Sequence, residues 1–218
     1  RLGLTGEQLN SLWAAQKAEK IAGGLYVARL PELNAFLLNG FYPSIRDLFT
    51  APAAVTRLIV VPPEGGDHPD AALANVAGVL MRHERLDVEL AYVAPAATPA
   101  TRAYGLPHGP AARELADAGA AQELPLIRDD AATVLVGAAR HLGADGAKLH
   151  GETYVDSERL MNGDVRGVLI EPLTEAPGVR ARVQRLLPGG WLSGRAVQTG
   201  GTNLVVEREG VLTPRVVK

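Results

Sequence analysis

The run TRLIVV, Thr56 to Val61, narrows the choice of fold more than any other stretch of this chain. It is β-branched, continuous and closed by Pro62-Pro63, the pattern of a buried strand. A helix is expected over 69–82, with Pro69 in its first turn, where a missing N–H costs nothing. "VELAYVA" (88–94) reads as the next strand, "PAATPATRAYGLPHGP" (95–110) as a loop, and "AARELADAGA" (111–120) as a short helix. On the N-terminal side, Thr5 and Gln8 make a capping box. Leu9, Leu12, Trp13, Ala18 and Ile21 then recur at helical spacing, which predicts a helix over 6–22. Gly23-Gly24 stops it, "LYVARL" (25–30) is a strand, and 31–50 reads as helix in two pieces broken near Gly40 and Pro43. Strands and helices therefore alternate up to about residue 120, as in a parallel, Rossmann-like sheet with crossover helices.

Beyond that point the pattern changes. "ATVLVGAARHL", "AKLHGETYVDS", "RLMNGDVRGVLIEPL", "GVRARVQRLL", "WLSGRAVQTG" and "TNLVVEREGVL" are strand-length runs separated by Gly, Asp, Asn and Pro. Such a succession suggests an antiparallel sandwich or meander. The expected organisation is an α/β domain over residues 1–122 and an antiparallel β-sandwich domain over 123–218, with a cleft between them. Trp13, Phe36, Phe41 and Phe49 fall on helix-like segments and are expected in the core.

Composition bounds the function. With 218 residues and 47% hydrophobic content, the chain can bury one sizeable core or two modest ones. A formal net charge of −2 offers no basic excess for a phosphate backbone, so nucleic acid is not the expected partner. The absence of cysteine excludes disulfides, zinc thiolates and thiol catalysis. No unbroken apolar stretch approaches the ~20 residues a bilayer crossing needs. The first residues, "RLGLTGEQ", lack a signal-peptide pattern, and a cytoplasmic location is expected. The sequence does not open on Met, so residues upstream of Arg1 are expected as well.

The loop 62–70 is the strongest candidate for chemistry. A strand feeding a Gly-rich turn and a helix start offers free backbone N–H groups and a positive dipole end to an anion. Gly65 and Gly66 permit close approach to a phosphate, and Asp67 is placed to hold Mg²⁺ or to position a hydroxyl. His68 adjoins Asp67 at the helix start. The spacing is neither a Walker A loop nor GxGxxG, and no Lys follows the glycines.

"GGDHPDAALANV" after the third strand, "AYVAPAATPATRAYGLP" around the next, and a β-rich second half resemble the diacylglycerol kinase-like lipid kinases. Those share a superfamily with the NAD kinases. Members carry a GGDG(T/S) loop, then a "P-x-GT-x-ND" loop and an "AR-x-x-GLP" tail. Gly65, Gly66 and Asp67 match the first, and Pro95, Arg102 and Gly105-Leu106-Pro107 match the rest. His68 and Pro69 replace the Gly and hydroxyl residue of the first loop. The Gly-Thr and Asn-Asp of the second are gone, and no late "DDG" is present.

The resemblance implies a transferase of lipid metabolism that binds ATP and Mg²⁺ and phosphorylates a lipid or small-molecule hydroxyl. It assigns Asp67 as the catalytic and metal-holding acid, and Gly65, Gly66, His68, Thr98 and Arg102 as nucleotide-binding positions. Thr98 keeps a hydroxyl able to donate to phosphate, and Arg102 is placed to contact it. Peripheral membrane contact and a homo-oligomer are compatible with it. Because the phosphate loops are degenerate, a pseudoenzyme that keeps the kinase fold and binds a ligand stays open beside the active kinase. A structural subunit docking to a partner is a third reading.

Other candidates weigh less. Asp129 and Asp130 are adjacent and would face opposite sides of a strand, so a loop or strand-start role is expected. The five histidines show no ligand spacing, so a metal cluster is not expected. No serine lies in GxSxG, and "GRAVQTGGTN" (194–203) reads as a hairpin connection.

Overall fold

Residues 19–21, 25–29, 56–62, 66–184 and 190–214 are described by the structure, a computed structural model. The chain divides into two compact units, residues 1–96 with 107–121, and residues 97–106 with 122–218.

The first unit holds strands β1 (Glu19–Ile21), β2 (Leu25–Arg29), β3 (Arg57–Val61) and β4 (Glu89–Tyr92) in the order β1-β2-β3-β4. The β1–β2 pair is antiparallel, whereas β2–β3 and β3–β4 are parallel. Three α-helices occur among the described residues: α1 (Pro69–Arg82), α2 (Pro99–Ala103) and α3 (Pro110–Ala118). Helix α1 makes the crossover from β3 to β4 and packs on β3, while α3 packs on β4. Leu58, Ile59 and Val60 are all buried, so β3 is covered on both faces, as its unbroken apolar run predicts. Ile59 meets Ala116 of α3, flanked by Val61, Ala91 and Val93. Arg57 ties this layer together: Nε donates to Glu89 at 2.6 Å, and its Nη groups donate to the carbonyls of Ala116 (3.0 Å) and Gly119 (2.7 Å). Those carbonyls belong to the end of α3, where a cation satisfies both the orphan acceptors and the dipole.

The second unit is antiparallel throughout its described strands: β5 (Ile127–Arg128), β6 (Val134–Leu135), β7 (Ala139–Gly143), β8 (Leu149–Val155), β9 (Glu158–Val165), β10 (Gly167–Pro172), β11 (Val179–Val183), β12 (Leu192–Gly194), β13 (Val197–Gly201), β14 (Leu204–Arg208) and β15 (Val211–Pro214). Six of them form a sheet in the order β12-β11-β10-β7-β14-β15, three form β13-β8-β9, and β5 pairs with β6. The two larger sheets share one core. Ala139, Val168, Ile170, Val179, Ala181, Val183 and Leu204 from the first meet Leu149, Val155 and Met161 from the second. A polar chain crosses this core, from Nδ1 of His141 to Oγ1 of Thr199 (2.6 Å) and on to Oγ1 of Thr153 (2.9 Å).

Several expectations need correction. Glu19–Ile21, the end of the helix expected over 6–22, is a strand paired with β2; residues 6–18 lie outside the described residues, as do 31–50, Trp13, Phe36, Phe41 and Phe49. Backbone pairing with β2 overrides the local helical spacing there. The loop expected over 95–110 contains α2, and the hairpin connection expected at 194–203 contains β13, which pairs along its length with β8. Asp129 lies in a turn, as expected of a loop residue. It accepts from the backbone N–H groups of Ala131 (2.9 Å) and Thr133 (2.8 Å) and pairs with Arg208.

Candidate functional site

β3 delivers the chain to Pro62, and α1 begins at Pro69. Between them Gly66 and Asp67 are exposed, and Gly65 lies outside the described residues. His68 is the N-cap of α1, with φ −133° and ψ 66°, and its side chain makes no capping hydrogen bond. Pro69 follows at the first helical position. The first turn is thus closed by backbone alone, with the Ala71 N–H donating to the His68 carbonyl at 3.1 Å. Among the described residues nothing engages the Asp67 carboxylate. The start of α1 therefore presents its dipole and an exposed acid side by side.

One residue of this segment that sequence reasoning passed over is Asp70. It is 3% exposed, and the Tyr92 hydroxyl donates to its Oδ1 at 2.8 Å. Tyr92 ends β4, so the bond fastens the first turn of α1 to the carboxyl end of the neighbouring parallel strand. Ligand sites of parallel sheets gather at those strand ends. The signal for Asp70 was its place three residues after Asp67, in the first turn of an apolar helix; nothing local pointed to Tyr92.

After β4 the ladder runs on one step, with the Val93 N–H donating to the Val60 carbonyl at 2.9 Å. Thr98 and Arg102 then fall in the second unit, so the structure groups Gly66, Asp67 and His68 on one segment and Thr98 and Arg102 on another. Thr98 is 5% exposed and is the N-cap of α2. Its Oγ1 accepts from the Thr101 N–H (3.1 Å), and the Oγ1 of Thr101 accepts from the Thr98 N–H (2.8 Å), a reciprocal cap. Its oxygen is thereby occupied within the protein. Arg102 is exposed in the last turn of α2, where a cation suits the carbonyl end of the helix.

The Gly105-Leu106-Pro107 tail ends the same helix. Gly105 has φ +63°, the left-handed conformation glycine adopts without penalty, and the Leu106 N–H returns to the Thr101 carbonyl at 2.8 Å. Pro107 then blocks continuation. Gly109, with φ +64° and ψ −142°, starts α3, and its N–H binds the Ala94 carbonyl at 2.8 Å.

No group of three or more His, Asp or Glu side chains is arranged to hold a metal among the described residues. No helix among them is long and apolar enough to cross a membrane. No protein-family model matches the sequence, and no curated protein matches it. Among solved structures the chain is similar to yeast NADH kinase complexed with NADH, at 10% identity and a TM-score of 0.42, over 87% of this chain and 75% of that one.

Proposed function

We propose that this chain is a kinase-like protein that binds ATP at the start of α1 and transfers its terminal phosphoryl group to a lipid or small-molecule hydroxyl. In this reading residues 1–122 form the Rossmann-like nucleotide half and 123–218 the β-sandwich half. The observation that carries it is the exposed Asp67 beside the side-chain-uncapped N-terminus of α1, directly after a buried parallel strand. "GGD" at that place, with Pro95, Arg102 and the GLP tail, supports the likeness to diacylglycerol kinase-like enzymes.

Glycine at positions 65 and 66 adds no side chain to keep phosphate oxygens from the backbone, and the α1 dipole favours their negative charge. A single exposed carboxylate fits Mg²⁺ that arrives with the nucleotide, because such ions are held by one or two carboxylates plus substrate phosphates. Asp67 is the residue that would hold it, and the chemistry such an ion would supply is neutralisation of phosphate charge. Phosphoryl transfer depends on positioning and electrostatics, so orienting the nucleotide is the main task of these residues. Thr98 fixes the fold of its own loop through the α2 cap, and Arg102 carries an exposed charge at the end of that helix.

A second reading has its own observation. Pro69 has no N–H, and His68 fills the place where the family loop is most open, so the loop offers fewer donors than an active kinase uses. Nucleotide binding without transfer follows from that.

Thermal unfolding with Mg·ATP separates these readings. Nucleotide at about 100 times its Kd stabilises the native state by ~2.7 kcal/mol, which for a chain of this size raises Tm by roughly 5–10 °C. Asp67→Ala is expected to lose most of that shift. No shift at millimolar nucleotide overturns both readings, and an undiminished shift in Asp67→Ala places the nucleotide elsewhere. ADP release with hydroxyl-bearing lipids as acceptors then marks the kinase, and its absence alongside a shift marks the binder.

A further inference from the structure

Strand β11 alternates buried Val179, Ala181 and Val183 with Arg180 and Arg182, which share its outer face. Trp191, just before the adjoining edge strand β12, lies against both guanidinium groups, with its ring centroid 4.4 Å from Cζ of Arg180 and 4.8 Å from Cζ of Arg182. Stacking of this kind uses the flat face of a guanidinium and leaves its in-plane N–H donors aimed sideways. For Arg180 those donors have an acceptor. Nε and Nη2 reach Oε2 of Glu171 at 3.1 and 2.8 Å.

For Arg182 no acceptor stands among the described residues. Its Nε is buried without a hydrogen-bond partner, and among the described residues no carboxylate pairs with it. The residue as a whole is partly exposed. Two guanidinium groups therefore lie against one indole, Glu171 pairs with Arg180, and Arg182 is left without a carboxylate among the described residues. A guanidinium without a carboxylate, set beside a like charge, is an unfavourable arrangement that a bound anion relieves. Ser193 is the cross-strand partner of Arg180 on the same face and is exposed, adding a neutral hydroxyl at the border.

We propose that Arg182, with Arg180, Trp191 and Ser193 at the β11–β12 edge, forms a binding site for a phosphate group. A carboxylate already occupies the Arg180 fork, and a second one would saturate only Arg182. A tetrahedral phosphate has oxygens enough to take the Nη donors of Arg182 and still accept from a remaining Arg180 N–H or from Ser193. The phosphate is that of a free anion or of an acidic lipid headgroup. The site belongs to the second unit and does not depend on the α1 loop.

Trp191 is the reporter. The chain has two tryptophans, so Trp13→Phe leaves Trp191 as the single indole. Inorganic phosphate is titrated into the full chain at constant ionic strength with chloride as the balancing anion. In a second arm, phosphatidylcholine vesicles with and without phosphatidate are added. A saturable change in Trp191 emission with phosphate supports the site and identifies a free anion as sufficient. A change with phosphatidate vesicles alone supports it and identifies the lipid headgroup. Arg182→Gln is expected to weaken the response about tenfold or more, since hydrogen bonds to charged groups are lost. Arg182→Lys keeps the charge without the fork and is expected to fall between; this comparison decides the matter if the glutamine variant does not fold. No response to either source, an equal response to chloride, or an unchanged response in the Arg182 variants overturns the proposal.

Discussion

Glu209 occupies φ +49°, a region where a residue other than glycine is disfavoured by about 1–2 kcal/mol. Gly210 follows at φ +82°, so the two make the tight connection between β14 and β15. What holds a glutamate there is its side chain. Oε1 accepts from the N–H groups of Val136 (2.7 Å) and Gly137 (2.9 Å), and the residue is 7% exposed. Glu209→Gly would relieve the backbone but leave two buried donors unmatched, so a net loss of ~2 kcal/mol is expected. Glu209→Gln keeps an accepting oxygen and should lose about half as much. Urea unfolding midpoints measure both, and a glycine variant as stable as the parent would show that the clamp contributes nothing. In the sequence "TNLVVEREGVL" reads as one strand-length run, so the turn at Glu209-Gly210 was not legible, and the partners of Glu209 lie more than seventy residues earlier, beyond any local pattern. The same limit hid Tyr92 from Asp70. Asp67 and Gly66, by contrast, were legible, because an exposed loop at a helix start is a local arrangement.

At the level of elements, α2 is defined by its two ends. Five residues are too few to sustain a helix by propensity, and capping supplies what length does not. Thr98 and Thr101 close the first turn, and Gly105 with Leu106 closes the last. Thr98→Ala is expected to cost about 1 kcal/mol. The double variant with Thr101→Ala should cost less than the sum of the singles, because both threonines serve one reciprocal cap. Strictly additive losses in urea unfolding would mean that the two hydroxyls act independently. This helix escaped a reading of the sequence because "PAATPAT" looks like a loop and T-x-x-T lacks the Glu or Gln of the usual capping box. β3, α1 and β4 were legible because each satisfies its period within its own residues. "WLSGRAVQTG" was not, since it splits into β12 and β13, which join different sheets. Membership of a sheet depends on distant partners: β13 on β8, and β12 on β11.

For the molecule as a whole, the change from alternating strands and helices to successive strands was visible near residue 120. The grouping of residues 97–106 with the second unit was not. Ala100 and Thr101 are almost wholly buried, so this segment is not a free linker, although "ATPATRAYGL" has a linker's composition. Its place in the chain says first unit; its contacts say second. If those contacts stabilise the β-rich unit, a fragment of residues 97–218 should unfold cooperatively in urea, followed by far-UV circular dichroism. A fragment of residues 122–218 should unfold at a lower midpoint, since it forfeits the burial of Thr98, Ala100 and Thr101 along with α2. Equal midpoints would assign 97–106 no part in the second unit's stability and would put the working boundary near 122, where the strand pattern alone places it. A lower midpoint for the shorter fragment would instead show the second unit drawing a capped helix from the sequence of the first half. That would make the segment holding Thr98 and Arg102 part of the β-rich unit's own fold.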